Sequence, residues 1–388
     1  MSPKKVGGLE LTRRKALSTL GAAVTMSGLG TTVQASESKV DHPMLVSGDN
    51  VVKWLSVPAD WEQHRKHAIE ALGTARDRLG TTPKVVGTEL EQSRDRYGGH
   101  NGFQISVILD KDDKSVQRER VRNNLPEEVD DIPISSRDSA ESFAGSCDDQ
   151  DTVDDNCTNN ESTDTVQGGQ NVGWVEQGNG TSCCGVKYNG EQCLLTAAHN
   201  FYNPGNCSSS DENDLIGRVA DAAEEEIGEV IEADIKGDWA LIDDSRGGDY
   251  PNEIDDNDEF PSVKGHVTKP TLDHWASDSS NSPCVYNMGR QTGLTSGKIM
   301  NTNANWTAIC SNMRNHGVRS RANFADGDSG SPTYHLEDGD AYIISVTGYG
   351  YDPYGFACGQ KKSDKSGGIG AYWLAENKDV KFGENSTV

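Results

Sequence analysis

Residues 327–332 read Gly-Asp-Ser-Gly-Ser-Pro, a serine between two glycines in a turn. Upstream, residues 194–199 read Leu-Leu-Thr-Ala-Ala-His, an apolar strand that ends in small residues and a histidine. Between these segments, residues 237–242 read Gly-Asp-Trp-Ala-Leu-Ile, an aspartate that opens an apolar strand. Each segment alone is weak evidence for a catalytic site. An Asp before a strand, for example, is usually a turn residue. Their order, His199, Asp238 and Ser329, is informative because a serine hydroxyl needs an adjacent base to become a nucleophile.

The chain around these segments predicts an all-β fold. From about residue 166 onward, short apolar runs alternate with turns rich in Gly, Asn, Asp and Ser, and no long helical period appears before the last residues. This spacing is typical of a β-barrel or β-sandwich. The runs are 172–175, 193–198, 215–219, 239–242, 285–288, 297–300 and 342–346.

The three segments together resemble the signatures of the trypsin/chymotrypsin-like serine proteases, in which the order is also His, Asp, Ser. Residues 289–299, Gly-Arg-Gln-Thr-Gly-Leu-Thr-Ser-Gly-Lys-Ile, are similar to the streptogrisin branch of secreted microbial proteases. Residues 166–169 resemble the start of a mature chain, and the whole resemblance covers about residues 166–375. It implies two packed antiparallel six-stranded β-barrels with the site between them, and often a propeptide ahead.

The resemblance also implies a role for each site residue. His199 would be the general base, Asp238 would orient it and stabilise its imidazolium form, and Ser329 would be the nucleophile. The backbone N–H groups of Gly327 and Ser329 would form the oxyanion hole. Asp328 would be buried and in need of a positive partner, for which a new N-terminus near Val166 and the side chain of Arg290 are both candidates. No cofactor or metal is needed for this chemistry.

The substrate pocket is expected around four residues. Asn323 stands six residues before Ser329, where trypsin-like enzymes carry an aspartate, so a preference for Lys or Arg is disfavoured. Phe324 follows it, and Tyr349 with Gly350 should line the other side. We therefore expect an apolar or aromatic side chain at the cleavage position of a protein or peptide substrate.

The N-terminus resembles a twin-arginine (Tat) signal peptide. Arg13 and Arg14 precede a weakly apolar run of small residues to about Gly30, and residues 33–35, Val-Gln-Ala, resemble a cleavage site. Residues 1–35 are therefore expected to direct a folded protein out of the cell. No membrane anchor is indicated.

The region between the signal and the β pattern is predicted to be a small α+β domain, residues 36–135. Helical spacing follows Pro58 from Trp61 to Leu79, and a strand is expected over 103–109, a second helix over 116–121 and a short edge strand over 129–134, because of its proline. We expect this domain to be a propeptide that inhibits the enzyme or assists its folding. Residues 136–165 are predicted to be a polar acidic linker, and residues 166–388 the protease domain.

The charge balance limits both partners and environment. The chain has 388 residues, with Asp+Glu 61 against Lys+Arg 36 and a net charge of −25. Such a field repels phosphate, so nucleic acid is excluded as an expected partner. Repulsion among the carboxylates is screened in concentrated salt, which predicts a salt-adapted protein. The acidic runs 148–155 and 252–259 are expected to be solvated loops, with calcium binding as the alternative.

Nine cysteines all lie after residue 146, and export would permit disulfides among them. We expect Cys184–Cys207, and then Cys284–Cys310 or Cys310–Cys358, with at least one thiol left over. Six sequons permit glycosylation: Asn156, Asn160, Asn179, Asn206, Asn305 and Asn385.

The sequence thus favours a secreted serine endopeptidase. Two alternatives remain open. One is a protease-like binding module whose N-terminal domain is permanent and recognises a surface partner. The other is an esterase that uses the same three residues.

Overall fold

The strands and helices fall into three groups along the chain. The computed structural model describes residues 38–110, 116–138, 165–174, 178–201, 218–220, 226–255, 261–278, 280–308, 311–350, 354–357 and 360–383. Residues 37–388 form one compact unit. The expected fold class, an all-β main part preceded by a small α+β region, is confirmed.

The first group, residues 38–138, contains a β-hairpin, two helices and a second sheet of order β3-β4-β6-β5. The hairpin and the strand β3 were not predicted from the sequence. The elements are β1 (Lys39–Ser47), β2 (Asn50–Pro58), α1 (Ala59–Leu79), β3 (Val85–Tyr97), β4 (His100–Leu109), α2 (Val116–Asn124), β5 (Glu128–Val129) and β6 (Ile132–Asp138).

The helix α1 forms where the sequence predicts it. Pro58 sets the chain direction just before the first turn, and Trp61, Ala68, Leu72 and Ala75 recur on one face. All four are fully or almost fully buried, against the sheet residues Leu90, Phe103, Ile105 and Ile132 among others. This small core belongs to residues 38–138 alone.

The strand β6 differs from the expectation in its position. The proline at 133 predicted an edge strand, but β6 lies between β4, to which it is parallel, and β5. The missing N–H of Pro133 is tolerated because β5 is only two residues long. The strand also continues to Asp138, three residues into the predicted linker.

The second group is a closed six-stranded barrel, here called the first barrel, with the order β10-β11-β12-β9-β8-β7. It agrees with the barrel that the resemblance implied. Its strands are β7 (Asn171–Trp174), β8 (Gly178–Tyr188), β9 (Glu191–Thr196), β10 (Arg218–Ala220), β11 (Glu226–Asp234) and β12 (Trp239–Ile242).

The third group, here called the second half, departs from a six-stranded barrel. Eight of its strands belong to a branched ten-stranded sheet that also includes β1 and β2, and the other three form a small separate sheet of order β18-β22-β21. A short helix at 269–277 interrupts the β pattern and was not predicted. The elements are β13 (Val263–Val267), α3 (Lys269–Ser277), β14 (Val285–Gly289), β15 (Gly293–Gly297), β16 (Ile299–Ala308), β17 (Ser311–Ser320), β18 (Phe324–Ala325), β19 (Pro332–Glu337), β20 (Asp340–Gly350), β21 (Tyr354–Ala357), β22 (Gln360–Ser363), β23 (Ser366–Gly370) and α4 (Ala371–Asn377).

The strands of the first barrel are apolar on both faces because each face packs in a different core. Successive residues of a strand point to opposite faces. Leu194 accordingly lies inside the barrel, whereas Leu195 lies in a core shared with the second half. In β12, Ala240 and Leu241 divide in the same way. The shared core fastens the first barrel to the second half and fixes the ends of β9 and β12 near it.

The cysteine expectations are partly wrong. Cys183, Cys184 and Cys193 are free thiols, fully buried in the shared core. Cys184 therefore does not pair with Cys207, since its side chain points into packed apolar residues. Cys284 is disulfide-bonded, and its partner lies outside the described residues.

Several expectations fall on parts of the chain that are not described. They are the signal peptide, the acidic run 148–155 and the side chains of all six sequons. None of the described helices has the length and apolar character of a membrane span. The described side chains also include no group of three or more His, Cys, Asp or Glu residues arranged to hold a metal ion.

Candidate active site

His199 and Asp238 meet because their strands are neighbours. His199 lies in a short 3₁₀ turn, Ala198–Asn200, directly after β9, and Asp238 immediately precedes β12. The two strands pair with Ala240 opposite Thr196, which brings the aspartate beside the turn. Asp238 has a φ of +57°, a left-handed conformation that Asp adopts more readily than most residues.

The Asp238 carboxylate holds both the ring and the backbone of His199. Its oxygens lie 2.9 and 2.8 Å from Nδ1, and Oδ1 also accepts the main-chain N–H of His199 at 3.0 Å. Asp238 is 4% exposed, so these hydrogen bonds are shielded from water. The carboxylate thereby favours the tautomer with the proton on Nδ1, which leaves Nε2 as the ring atom able to accept a proton.

The electrostatics of the pair favour a basic imidazole. Burial lowers the pKa of His199, but the charge of Asp238 and its hydrogen bond raise it more, so the net shift is upward from the ordinary value. A raised pKa makes His199 a stronger proton acceptor than a free histidine.

Ser329 lies in a turn that is fastened to the first barrel. Its carbonyl oxygen accepts the backbone N–H of Thr181 at 2.7 Å and the side-chain amide of Asn200 at 2.9 Å. Asn200 directly follows His199, so the amide ties the histidine turn to the serine turn. The Thr196 hydroxyl supports the amide at 3.1 Å and itself donates to the Thr181 carbonyl at 2.7 Å.

Gly348 completes the link between the serine and the other two residues. The Ser329 hydroxyl donates to the Gly348 carbonyl at 3.4 Å. A Cβ at Gly348 would lie 2.5 Å from the Asp238 Oδ2, which leaves no room for a side chain. The described structure therefore brings His199, Asp238 and Ser329 to one place, with the serine hydroxyl turned toward Gly348 and not toward the histidine.

The backbone around Ser329 presents two unused donors. Gly327 has a φ of +105°, in the region that favours glycine, and the Thr181 hydroxyl donates to its carbonyl at 2.7 Å. This bond fixes the central peptide of the turn. The N–H groups of Gly327 and Ser329 donate to no other group in the described part of the chain. An oxygen atom of a ligand could accept from them.

Asp328 is held by neutral donors. It is fully buried and accepts the backbone N–H of Gln291 at 2.8 Å, of Thr292 at 3.2 Å and of Ala325 at 2.7 Å, together with the Thr292 hydroxyl at 2.8 Å. Burial raises the pKa of this carboxyl, and the hydrogen bonds only partly offset that effect.

Neither expected cation is bonded to Asp328 in the described structure. Arg290 donates to the Asn171 side chain instead, and its Nε has no hydrogen-bond partner among the described residues. The backbone N–H of Val166 donates to the Asp249 carbonyl at 2.8 Å. In this chain the hydrogen bonds of the carboxylate therefore all come from neutral groups, and the charge of Arg290 acts on it only through space.

The four expected pocket residues are brought together only in part. Phe324 in β18 lies against Gly350 at the end of β20, where a Cβ would come within 2.8 Å of the ring. Tyr349 packs against the core shared by the two halves. Asn323 is 4% exposed, and its carbonyl accepts the Thr295 hydroxyl at 3.1 Å, so it supports the turn behind Phe324.

Sequence reasoning missed the residues that connect the site, namely Thr181, Thr196, Asn200 and Gly348. Their types carry no catalytic signal, because Thr, Asn and Gly are common in every turn of this chain. The one usable signal was position, since Asn200 follows His199 directly.

Comparisons with known proteins find similarity only among solved structures. No family model matches the chain, and no curated protein matches it. Thermobifida fusca Protease A is 16% identical, with 57% of this chain and 100% of that chain covered and a TM-score of 0.42. Nocardiopsis protease is 15% identical, with 57% and 100% covered and a TM-score of 0.42. Cellulomonas bogoriensis chymotrypsin is 18% identical, with 56% and 97% covered and a TM-score of 0.40. These neighbours are proteases, and at these values the likeness does not extend to substrate or to single residues.

Proposed function

We propose that this protein is a serine endopeptidase that cleaves peptide bonds with His199, Asp238 and Ser329. The observation that carries the proposal is the buried carboxylate bonded to His199 Nδ1 beside a serine turn with two unused N–H donors. This combination supplies a base, a nucleophile and a site for negative charge, which are the three requirements of acyl transfer.

Attack begins with a proton transfer. His199 Nε2 takes the proton of Ser329 as the hydroxyl oxygen adds to the carbonyl carbon of the substrate. For this step the hydroxyl must turn from the Gly348 carbonyl toward the histidine, and such rotation about a serine side chain is fast. Asp238 stabilises the imidazolium that forms.

The negative charge that develops on the substrate oxygen is stabilised by Gly327 N–H and Ser329 N–H. Losing one such donor typically costs about 3 kcal/mol of transition-state stabilisation. The imidazolium then gives its proton to the leaving amine, and water hydrolyses the acyl-serine with His199 again as base. No step requires a metal or cofactor.

The setting of this activity is proposed from the sequence. The Tat-like N-terminus supports export, and the net charge of −25 supports operation in concentrated salt. Phe324 beside Gly350 supports an apolar side chain at the cleavage position. We also propose that a cleavage within 136–165 cuts the covalent connection between residues 36–135 and the protease domain, and that the first region assists folding.

A fluorophosphonate probe tests the chemistry directly. The protein, folded in molar salt, should be labelled on Ser329, and the peptide should be identified by mass spectrometry. Ser329→Ala and His199→Ala should lose the label, whereas Ser331→Ala, two residues further on, should keep it. Absence of label on a demonstrably folded wild type would overturn the proposal. Parallel assays with a peptide and an ester substrate distinguish an endopeptidase from an enzyme that hydrolyses esters only.

A further inference from the structure

The β1–β2 hairpin is part of the second half's sheet. β1 pairs antiparallel with β13, with Leu45 opposite Val267. The side chain of Leu45 is fully buried in the core of the second half, together with Val267, Leu272, Ile299, Ile344 and Tyr372 among others. Without this hairpin, β13 would be an open edge strand above a core that lacks one of its leucines.

A second contact joins α1 to α3 through buried charges. Arg65 Nη1 lies 2.6 Å from Asp273 Oδ2, and the two side chains are 9% and 1% exposed. Arg65 also binds Glu62 at 2.8 Å, and Lys269 binds Asp273 at 2.9 Å. The pKa of Asp273 is lowered, because the charges of Lys269 and Arg65 outweigh the effect of burial. A network of this kind is stable only while all of its members are present.

A third contact joins β3 to the long β16–β17 hairpin. Arg319 Nη1 lies 2.6 Å from Glu89 Oε2, and the two side chains are 8% and 2% exposed. The Asn301 side-chain amide donates to the Leu90 carbonyl at 2.6 Å. Arg76 of α1 donates to the Asn303 carbonyl. Removing residues 38–138 would leave the Arg319 guanidinium without its Glu89 carboxylate, and would expose polar groups that are now paired.

These contacts lie away from the catalytic residues. All hydrogen bonds of His199, Asp238 and Ser329 in the described structure come from the first barrel and the second half. The described part of residues 38–138 therefore makes no hydrogen bond to the three catalytic side chains, unlike an inhibitor that binds them directly.

We infer that residues 38–138 are a permanent subunit of the enzyme, which stays bound to the protease domain after any cleavage in the connecting segment 139–164. The active form would then be a two-chain protein in which the smaller chain completes the sheet and core of the larger. Molar salt should not separate the chains, because buried ion pairs are screened much less than exposed ones and apolar burial is unaffected by screening.

A single cut in the connecting segment 139–164 tests whether residues 38–138 stay bound to the protease domain. A recognition sequence for a site-specific endoprotease is placed near residue 150 of the full chain, in the Ser329→Ala background so that the protein cannot digest itself. After cutting in molar salt, size-exclusion chromatography with mass detection should give one species with the mass of the uncut protein, and a denaturing gel should give two bands. Two separately eluting fragments would overturn the inference.

Matched variants locate the contact. Arg319→Ala should raise the dissociation rate of the cut protein at least tenfold, whereas Arg78→Ala, an exposed arginine on α1, should leave it unchanged. Equal dissociation rates for the two variants would contradict the role given to the buried pair. Because association rather than turnover is measured, failure here would leave the proposed serine chemistry untouched.

Discussion

The polar contacts of the second half with the first barrel are neutral hydrogen bonds, whereas its strongest polar contacts with residues 38–138 are charged. Toward the first barrel, the Ser329 turn is fastened by neutral groups, the Asn200 amide and the Thr181 hydroxyl and N–H, which all donate to backbone carbonyls. Toward residues 38–138, the links are buried ion pairs, Arg65–Asp273 and Arg319–Glu89. Neutral hydrogen bonds keep their strength across a wide pH range, whereas carboxylate pairs are lost when the carboxylate is protonated. The polar part of the catalytic contact should therefore change little with pH, whereas the ion pairs of the contact with residues 38–138 should weaken when their carboxylates are protonated, which leaves the β1–β13 pairing and the burial of Leu45.

Replacing Asp238 by Asn should have the largest effect on activity, because its carboxylate is the charged group that orients His199. The geometry should survive while the preferred tautomer of His199 is lost, so kcat should fall by about 10⁴-fold. Wild-type kcat/KM should fall as pH decreases through the raised pKa of His199, above the ordinary histidine value, because a protonated imidazole cannot accept the serine proton. Steady-state kinetics from pH 5 to 9 measure both. A wild-type midpoint below the ordinary value would contradict the assigned pairing.

Arg65→Ala should break the contact with residues 38–138. It leaves Asp273 with one cation fewer, and losing one partner of a buried pair typically costs about 3–5 kcal/mol of unfolding free energy. Urea denaturation at fixed salt measures the loss. Arg78→Ala should change it by less than about 0.5 kcal/mol. A cost below about 1 kcal/mol for Arg65→Ala would show that the ion pair is not a main support of the contact.

Replacing Asn200 should lower activity less than replacing Asp238, and only through the position of Ser329. Asn200→Ala removes the donor to the Ser329 carbonyl, and we expect kcat to fall about ten- to a hundredfold with little change in KM, because small misplacement of a nucleophile is costly. Asn200→Asp keeps the shape but cannot donate as a carboxylate, so it should not restore activity. Fluorophosphonate labelling rates report the same step. Wild-type activity in Asn200→Asp would mean that shape, not donation, positions the serine.

The smallest effect concerns a histidine pair at the structural contact. His274 Nε2 of α3 lies 3.2 Å from His100 Nδ1 of β4. Burial, and then the neighbouring His100, lower the pKa of His274 to about 4, although Asp278 at the end of α3 opposes this. Because the unfolded chain binds the proton more readily, stability should be lost as pH falls from about 6.5 toward about 4. His274→Gln should reduce that dependence by about one proton relative to the wild type. Equal slopes in the variant and the wild type, from urea denaturation at each pH, would contradict this.

The difference between the contacts also explains what the sequence could predict. His199, Asp238 and Ser329 stand at strand ends in recognisable segments, so their meeting could be anticipated from order and residue type. Arg65 and Asp273 could not be paired, because charged residues are expected at the surface unless the fold is known.

The hydrogen-bond partners of the buried Asp328 carboxylate could not be predicted from the sequence either. A buried carboxylate predicts a cation, and the sequence offered Arg290 and a new terminus near Val166. The structure supplies backbone N–H groups instead, which every residue carries and which no pattern can reveal. The branched sheet escaped prediction for a related reason, since β1 lies more than 200 residues before its partner β13.

The buried thiols on the strands of the first barrel have a consequence for the proposed export of the chain. Burial raises the pKa of Cys193 to about 12 and that of Cys183 well above its ordinary value, so neither forms a reactive thiolate at neutral pH while the shared core is intact. A chain folded before export would carry these thiols through an oxidising compartment without forming wrong bridges. The rate at which a thiol reagent modifies Cys183, Cys184 and Cys193 should then measure how often the core shared by the first barrel and the second half opens, at any salt concentration.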